Sequence, residues 1–415
     1  MTLHAHDDGQ GQRTGTGPGN QSASAWRRGY DPAVDLAPVP RGAAYRDLGK
    51  YSNWVEFARQ QRSASSRPGP AKLTPSRVRE ILGFTDDRPP TAPRVDGTWS
   101  RHGIVGEEVS WSVGYGPRTQ AWLLRPAGVQ GPLPGVLALH DHSNFKFFGK
   151  EKIADGPGPP HPLVADLRRS EYGGLAFANE LARQGFAVLV HDAFLWGSRR
   201  FDLDHDGQPG DDKPWAQSER VPPEIIQSYN RAAVNHEHVV AKYCTLLSAS
   251  LAGVVAYEDR VALEYLKSRH DVVNGRIGCI GLSGGGCRAA LLQATSADIS
   301  VSVIVCMMST YGPLLDAHVA PHTWMLFPPG LAGLADWPDL AACRAPSPLV
   351  VQYTRGDQLF PLAGMMAAHA SIAESYSAAG APGAYVGQFF DGEHWFDQAM
   401  QTAAFAELAR WLVQD

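Results

Sequence analysis

From about residue 105 to the C-terminus, short apolar runs alternate with amphipathic stretches. Residues 135–139, 187–191, 277–282, 301–306, 349–353 and 385–390 are each short and apolar without alternation, the pattern of strands buried on both faces of a parallel sheet. Between them the period changes. Val254, Tyr257, Val261 and Tyr265 recur at helical spacing ahead of the run at 277–282, and Ala404, Leu408, Trp411 and Leu412 do so near the end of the chain, so both stretches predict helices with one covered face. Strand followed by helix, repeated, predicts a mostly parallel central sheet flanked by helices, an α/β fold. Ahead of it, residues 105–113 and 120–124, separated by Gly114, Gly116 and Pro117, predict a hairpin.

Upstream the pattern is weaker. Residues 1–25 are rich in Gly, Gln, Thr and Ser and read as a disordered tail, with no apolar run for a signal peptide or anchor to begin on. Residues 26–93 carry the aromatic and aliphatic anchors Tyr45, Tyr51, Trp54, Phe57, Ile81 and Leu82, and end in a linker holding Pro89, Pro90 and Pro93. They are expected to form a helical N-terminal extension packed on the main domain, residues 94–415. Two segments of the main domain, 192–236 and 309–344, lack the strand and helix rhythm, and long irregular segments are usually functional. The second contains His322-Thr323-Trp324-Met325-Leu326-Phe327-Pro328-Pro329, which fits a binding-pocket wall or lid and fits ordinary core packing equally well.

Composition narrows the classes. The 415 residues are 44% hydrophobic and 19% charged, with a formal net charge of -5, which suits a folded globular chain and gives no field for nucleic acid or an anionic membrane. No segment reaches bilayer-spanning length. The cysteines, Cys244, Cys279, Cys287, Cys306 and Cys343, are odd in number and set in apolar context. They read as buried free thiols, which favours a cytoplasmic location.

The strand-like run at 277–282 leads into Gly281-Leu282-Ser283-Gly284-Gly285, and helical residues follow. Strand, tight turn and helix form the context in which a serine is held in strained backbone geometry with its hydroxyl exposed. Such a serine needs a base to take its proton and a carboxylate to orient that base. Asp357, in the loop after 349–353, and His394, in the loop after 385–390, follow in the order serine, acid, histidine. His318, His322 and His369 are competing bases, and Asp391 and Glu393 competing acids. An oxyanion would take one backbone N–H from Gly284 and one from the loop after 135–139, where His142 is the candidate and Ser143 the next. Trp324, Phe327 and Phe145 are candidate substrate-binding residues, and the run Phe145-Lys146-Phe147-Phe148-Gly149-Lys150-Glu151-Lys152 is expected to shape the site's rim.

Metal readings are weaker. His140 and His142 would share one face of a strand, yet no third ligand cluster has matching spacing, and His236 and His238 diverge on a helix. Asp202-Leu203-Asp204-His205-Asp206-Gly207 imitates a calcium loop, but its twelfth position is Lys213. It reads as a solvated acidic loop.

The loop at His140-Asp141-His142, the elbow at Ser283, Gly356-Asp357 and Gly392-Glu393-His394 resemble the α/β-hydrolase superfamily, and within it the dienelactone-hydrolase-like and acetyl xylan esterase-like bacterial serine hydrolases. The resemblance covers about residue 105 to the C-terminus. It implies the α/β-hydrolase fold and ester hydrolysis through an acyl-enzyme, with Ser283, Asp357 and His394 catalytic, a small-molecule substrate and no cofactor or metal. Dienelactone hydrolases proper carry cysteine at the position of Ser283, and acetyl xylan and cephalosporin C deacetylases carry glutamine at that of Gly284. Neither a lactone nor acetyl specificity is therefore carried over. The same residues would serve an acyltransferase or an amide or carbon–carbon bond hydrolase; a non-catalytic ligand receptor is a remoter reading, and homo-oligomerisation is left open.

Overall fold

A computed structural model describes residues 45–63, 73–86, 88–203 and 221–413, all within the unit Arg41–Asp415. The expected tail at 1–25 lies outside the described residues.

The helical N-terminal region consists of α1 (Asn53–Ser63) and α2 (Pro75–Leu82). Their packing differs from expectation. Tyr51, Trp54 and Phe57 are 64%, 60% and 59% exposed, so they are not anchors on the main domain. Helix α2 does dock. Thr74 caps its N-terminus, Gly83 ends it at φ 81, Val78 and Leu82 are buried, and the Leu82 carbonyl accepts from both Ser250 N and Ser250 Oγ, at 3.1 and 2.9 Å.

Strands β1 (Thr91–Arg101), β2 (Ile104–Ser112) and β3 (Thr119–Pro126) form an antiparallel meander. The hairpin was legible; β1 was not, and its first residues, 91–93, fell in the segment read as linker. It is an edge strand with nearly every residue exposed, so neither burial nor alternation marks it, and an edge tolerates Pro93. Next come β4 (Leu133–Leu139), α3 (Pro162–Glu171), α4 (Phe177–Arg183) and β5 (Ala187–His191). Then α5 (Pro223–Leu246), α6 (Leu251–Lys267), β6 (Val272–Leu282), α7 (Gly284–Thr295) and β7 (Val301–Val305) follow, and after them α8 (Tyr311–Leu314), α9 (Trp337–Ala342), β8 (Leu349–Thr354), α10 (Leu362–Ala378), β9 (Tyr385–Phe390) and α11 (Gln398–Leu412).

The sheet has the order β1-β2-β3-β5-β4-β6-β7-β8-β9, and from β5 across to β9 every pairing is parallel. Strands β5 and β9 coincide with the apolar runs. Strand β6 begins earlier, at Val272, because its first half carries the exposed Asn274 and Gly275 and is not apolar. Side chains alternate between two cores. Leu137, Leu139, Cys279, Ile304 and Val351 face α6, α7 and α10, while Val136, Ala138, Ile280, Val303 and Val350 face α4 and α11. Such two-sided cover is what makes the central stretches of the parallel strands mainly apolar.

The segment 192–236 was expected to be irregular, yet α5 occupies its second half. Its buried stripe runs Ile226, Asn230, Ala233, Glu237, Val240, Ala241 and Cys244. The spacing is helical, but Asn230 and Glu237 interrupt the apolar signal. Most of the calcium-loop look-alike, from Asp204 on, lies outside the described residues. All five cysteines are free. Among the described residues no single helix is long and apolar enough to cross a membrane, and no group of His, Cys, Asp and Glu could hold a metal ion.

Candidate active site

The site is assembled at the C-terminal ends of adjacent parallel strands. Strand β6 runs into Ser283, whose backbone is held at φ 57, ψ -116 before α7 begins at Gly284. Its N–H donates to Val305 O at 2.8 Å, tying the elbow to the end of β7. Two glycines make this approach sterically allowed. A Cβ on Gly285 would stand 2.1 Å from Leu139 O, and one on Gly284 would stand 2.6 Å from His142 N. The second contact packs the Gly284 Cα against the backbone of His142. Gly284 opens a helix, so its N–H is one of the donors that no helical carbonyl can satisfy.

Asp357 follows β8 and His394 follows β9. His394 Nδ1 lies 2.7 Å from Asp357 Oδ2. The other carboxylate oxygen accepts from Leu359 N and Phe360 N, at 2.8 and 3.3 Å, which fixes the plane of the acid. His394 Nε2 is buried and has no hydrogen-bond partner among the described residues. Burial opposes a charged imidazole, but the Asp357 carboxylate beside it holds the proton affinity of His394 above its ordinary value. Between these loops Cys306 Sγ reaches Thr354 Oγ1 and Trp395 O, both at 3.4 Å, so the ends of β7, β8 and β9 pack as one layer.

Two of the competing residues, His369 and Asp391, are engaged elsewhere. His369 Nδ1 is 2.9 Å from Tyr385 Oη. Asp391 has a 94% exposed side chain and pairs with Arg355 at 3.0 Å. His322 stays near the site: Nε2 is 3.2 Å from Leu359 O, and burial with the nearby His394 charge lowers it to about 4.

No family model matches the chain. A Bacillus subtilis protein described as "Putative hydrolase YtaP" is 24% identical over 333 residues, covering 80% of this chain and 96% of the relative. A solved structure from Bacteroides fragilis, described as a putative acetyl xylan esterase, superposes with a TM-score of 0.55 at 17% identity, covering 81% of this chain and 75% of that one. The glucuronoyl esterase of Solibacter usitatus gives 0.56 at 16%, covering 84% and 100%. The chain has the α/β-hydrolase fold.

Within this hydrolase fold the loop after β4 is held by a buried network that the sequence did not disclose. His142 Nδ1 accepts from Asn144 N at 3.1 Å, and Nε2 lies 2.9 Å from Glu237 Oε2. The first contact makes Nδ1 an acceptor, so Nε2–H donates to the glutamate, and burial lowers the proton affinity of the ring. Glu237 also accepts from Lys146 Nζ, and its Oε1 accepts from Thr323 Oγ1 at 2.6 Å and Trp324 N at 2.9 Å. One carboxylate thus joins α5, the loop after β4 and the segment 309–344. Burial disfavours its charge, yet His142 and Lys146 hold it well below the usual carboxylate range. A charged residue on the buried stripe of α5 was the signal available in the sequence.

The run at 145–152 is a correction. Phe145 is 2% exposed in an aromatic cluster, its ring 5.5 Å from that of Phe148, so it has no open face for a ligand. Lys146, Lys150 and Lys152 turn inward as counter-ions of Glu237, Asp192 and Asp141, so the run is core, not rim. Trp324 is 40% exposed, with Nε1 donating to His238 Nδ1 at 2.8 Å; Phe327 is half-buried against Tyr311 and His322. His140 is no ligand either: Nδ1 contacts Asp141 O at 3.0 Å and Nε2 accepts from Ala193 N at 3.3 Å.

Proposed function

We propose that the chain is a serine hydrolase that cleaves carboxylic esters through an acyl-enzyme on Ser283. The observation that carries this reading is the His394–Asp357 pair at 2.7 Å, with the opposite ring nitrogen buried and unpartnered, at the same sheet edge as a serine in strained elbow geometry. The esterases among the similar structures support ester bonds as the target.

Ser283 Oγ attacks the ester carbonyl and its proton passes to His394 Nε2, while Asp357 orients the ring and stabilises the imidazolium. The oxyanion receives hydrogen bonds from Gly284 N and His142 N, donors that are fixed before reaction and so need no reorganisation. His394 then protonates the departing alcohol, and water, deprotonated by the same nitrogen, releases the acid. Trp324 and Phe327 are the candidate walls of the substrate pocket. Every step uses side chains and backbone of this chain. The test is turnover of a panel of aryl esters, anilides and diketones by the wild-type protein and by Ser283→Ala. Ester turnover by the wild type alone is expected; an unchanged rate in Ser283→Ala overturns the assignment, and preference for anilides or diketones overturns the ester reading.

A further inference from the structure

Glu171, the last residue of α3, faces two parts of the site. Its backbone carbonyl accepts from Phe396 N at 2.7 Å, and its Oε2 accepts from Ser143 Oγ at 2.6 Å. One residue therefore ties the loop that carries His394 to the loop that carries His142. The second loop needs such a tie. Ser143 and Asn144 stand at φ 42 and 51, a conformation that side chains other than glycine adopt only when their surroundings impose it.

The charges around this carboxyl are few. From the loop after β4 comes Asp141, whose own charge is met by Lys152 Nζ at 2.9 Å and by the Tyr172 hydroxyl. Lys152 comes from the short turn Lys150–Lys152, and His394 from the loop after β9. No cation forms an ion pair with Glu171 among the described residues. Burial and the Asp141 charge push Glu171 up to about 7, against the pull of Ser143, His394 and Lys152. Around His394 stand Asp357 from the loop after β8, Glu171 from α3, Asp141 from the loop after β4 and His322 from the segment 309–344. With Asp141 paired to Lys152, Glu171 is the carboxylate beside His394, after Asp357, whose hydrogen-bond partner is a neutral hydroxyl, that of Ser143.

We propose that Glu171 is a positioning residue that holds the Ser143 turn and, as the second carboxylate facing His394, couples its own ionisation to that of the histidine during turnover. This rests on reading His394 as the base. Ionised Glu171 favours the imidazolium; removing its charge makes His394 easier to deprotonate. Two interacting groups lose their protons in steps that belong to the pair, so the acid limb of the rate profile reports both.

The test is kcat/KM for an aryl ester across pH for the wild type, Glu171→Gln and Ser143→Ala, with Ser283→Ala and His394→Ala measured alongside. In Glu171→Gln the midpoint of the acid limb is expected to fall by about one pH unit, the size of effect that a partly screened charge at close range exerts. Ser143→Ala keeps the carboxyl but removes the hydroxyl that favours its charged form, so a smaller fall is expected, and this variant serves if Glu171→Gln does not fold. A purely structural role would lower the plateau and leave the midpoint in place. An unmoved midpoint in both variants, with Ser283→Ala and His394→Ala inactive, overturns this proposal alone. Retained turnover in Ser283→Ala or His394→Ala overturns the triad reading and the proposal with it.

Discussion

At the scale of single residues, Gly284 and Asp357 give the account its sharpest consequences. Gly284 lies so close to His142 that a Cβ would stand 2.6 Å from the neighbouring amide nitrogen. Gly284→Ala should therefore displace one of the two proposed oxyanion donors and lower kcat by about a hundredfold or more, the usual cost of losing one such donor, while the far-ultraviolet circular dichroism spectrum is unchanged. Asp357→Asn should lower kcat about ten-thousand-fold, as in the serine proteases where that substitution stabilises the wrong tautomer. Its pH profile gives an independent check. As the proposed base, His394 works only when neutral, and the Asp357 carboxylate holds its proton affinity above the ordinary 6.5. Wild-type kcat/KM should thus fall as pH drops through a midpoint above 6.5, and the residual activity of Asp357→Asn should fall at a lower pH.

At the scale of elements, Glu237 of α5 holds the loop after β4 against Thr323 and Trp324. Glu237→Gln leaves Lys146, 1% exposed, without its carboxylate, and breaking one half of a buried pair costs about 3–5 kcal/mol. Urea unfolding at pH 7 should show that loss. A carboxyl held below its ordinary 4.5 contributes stability that is full above that value and lost as pH falls through the folded value. The wild type should therefore lose more stability than Glu237→Gln on acidification below about pH 4.5. Helix α1 predicts the opposite. Trp54 and Phe57 are exposed, so replacing both with Ser should change unfolding free energy by no more than about 0.5 kcal/mol each, whereas Leu82→Ala in the docked α2 should cost about 2–5 kcal/mol.

At the scale of the whole molecule, the fold was legible where burial is two-sided. The parallel strands left short, mainly apolar runs, and β5 and β9 could be bounded to the residue. The exposed edge strand β1 left no such trace, and α5 was hidden because Asn230 and Glu237 occupy its buried stripe. The site divides in the same way. Ser283, Asp357 and His394 lie at strand ends in a fixed order, which the chain order preserves. Glu237 and Glu171 come from helices distant in sequence, and only folding brings them to the loop after β4. The aromatic run at 145–152 misled because a row of Phe and Lys looks like a surface patch, whereas each of these lysines meets a buried carboxylate. The central claim is that Ser283 is the nucleophile. Treatment with a fluorophosphonate, followed by intact mass and peptide mapping, tests it most directly. The account predicts a single adduct on Ser283, formed far more slowly in His394→Ala and absent in Ser283→Ala. An adduct on another residue, or full ester turnover by protein that remains unlabelled, would contradict it.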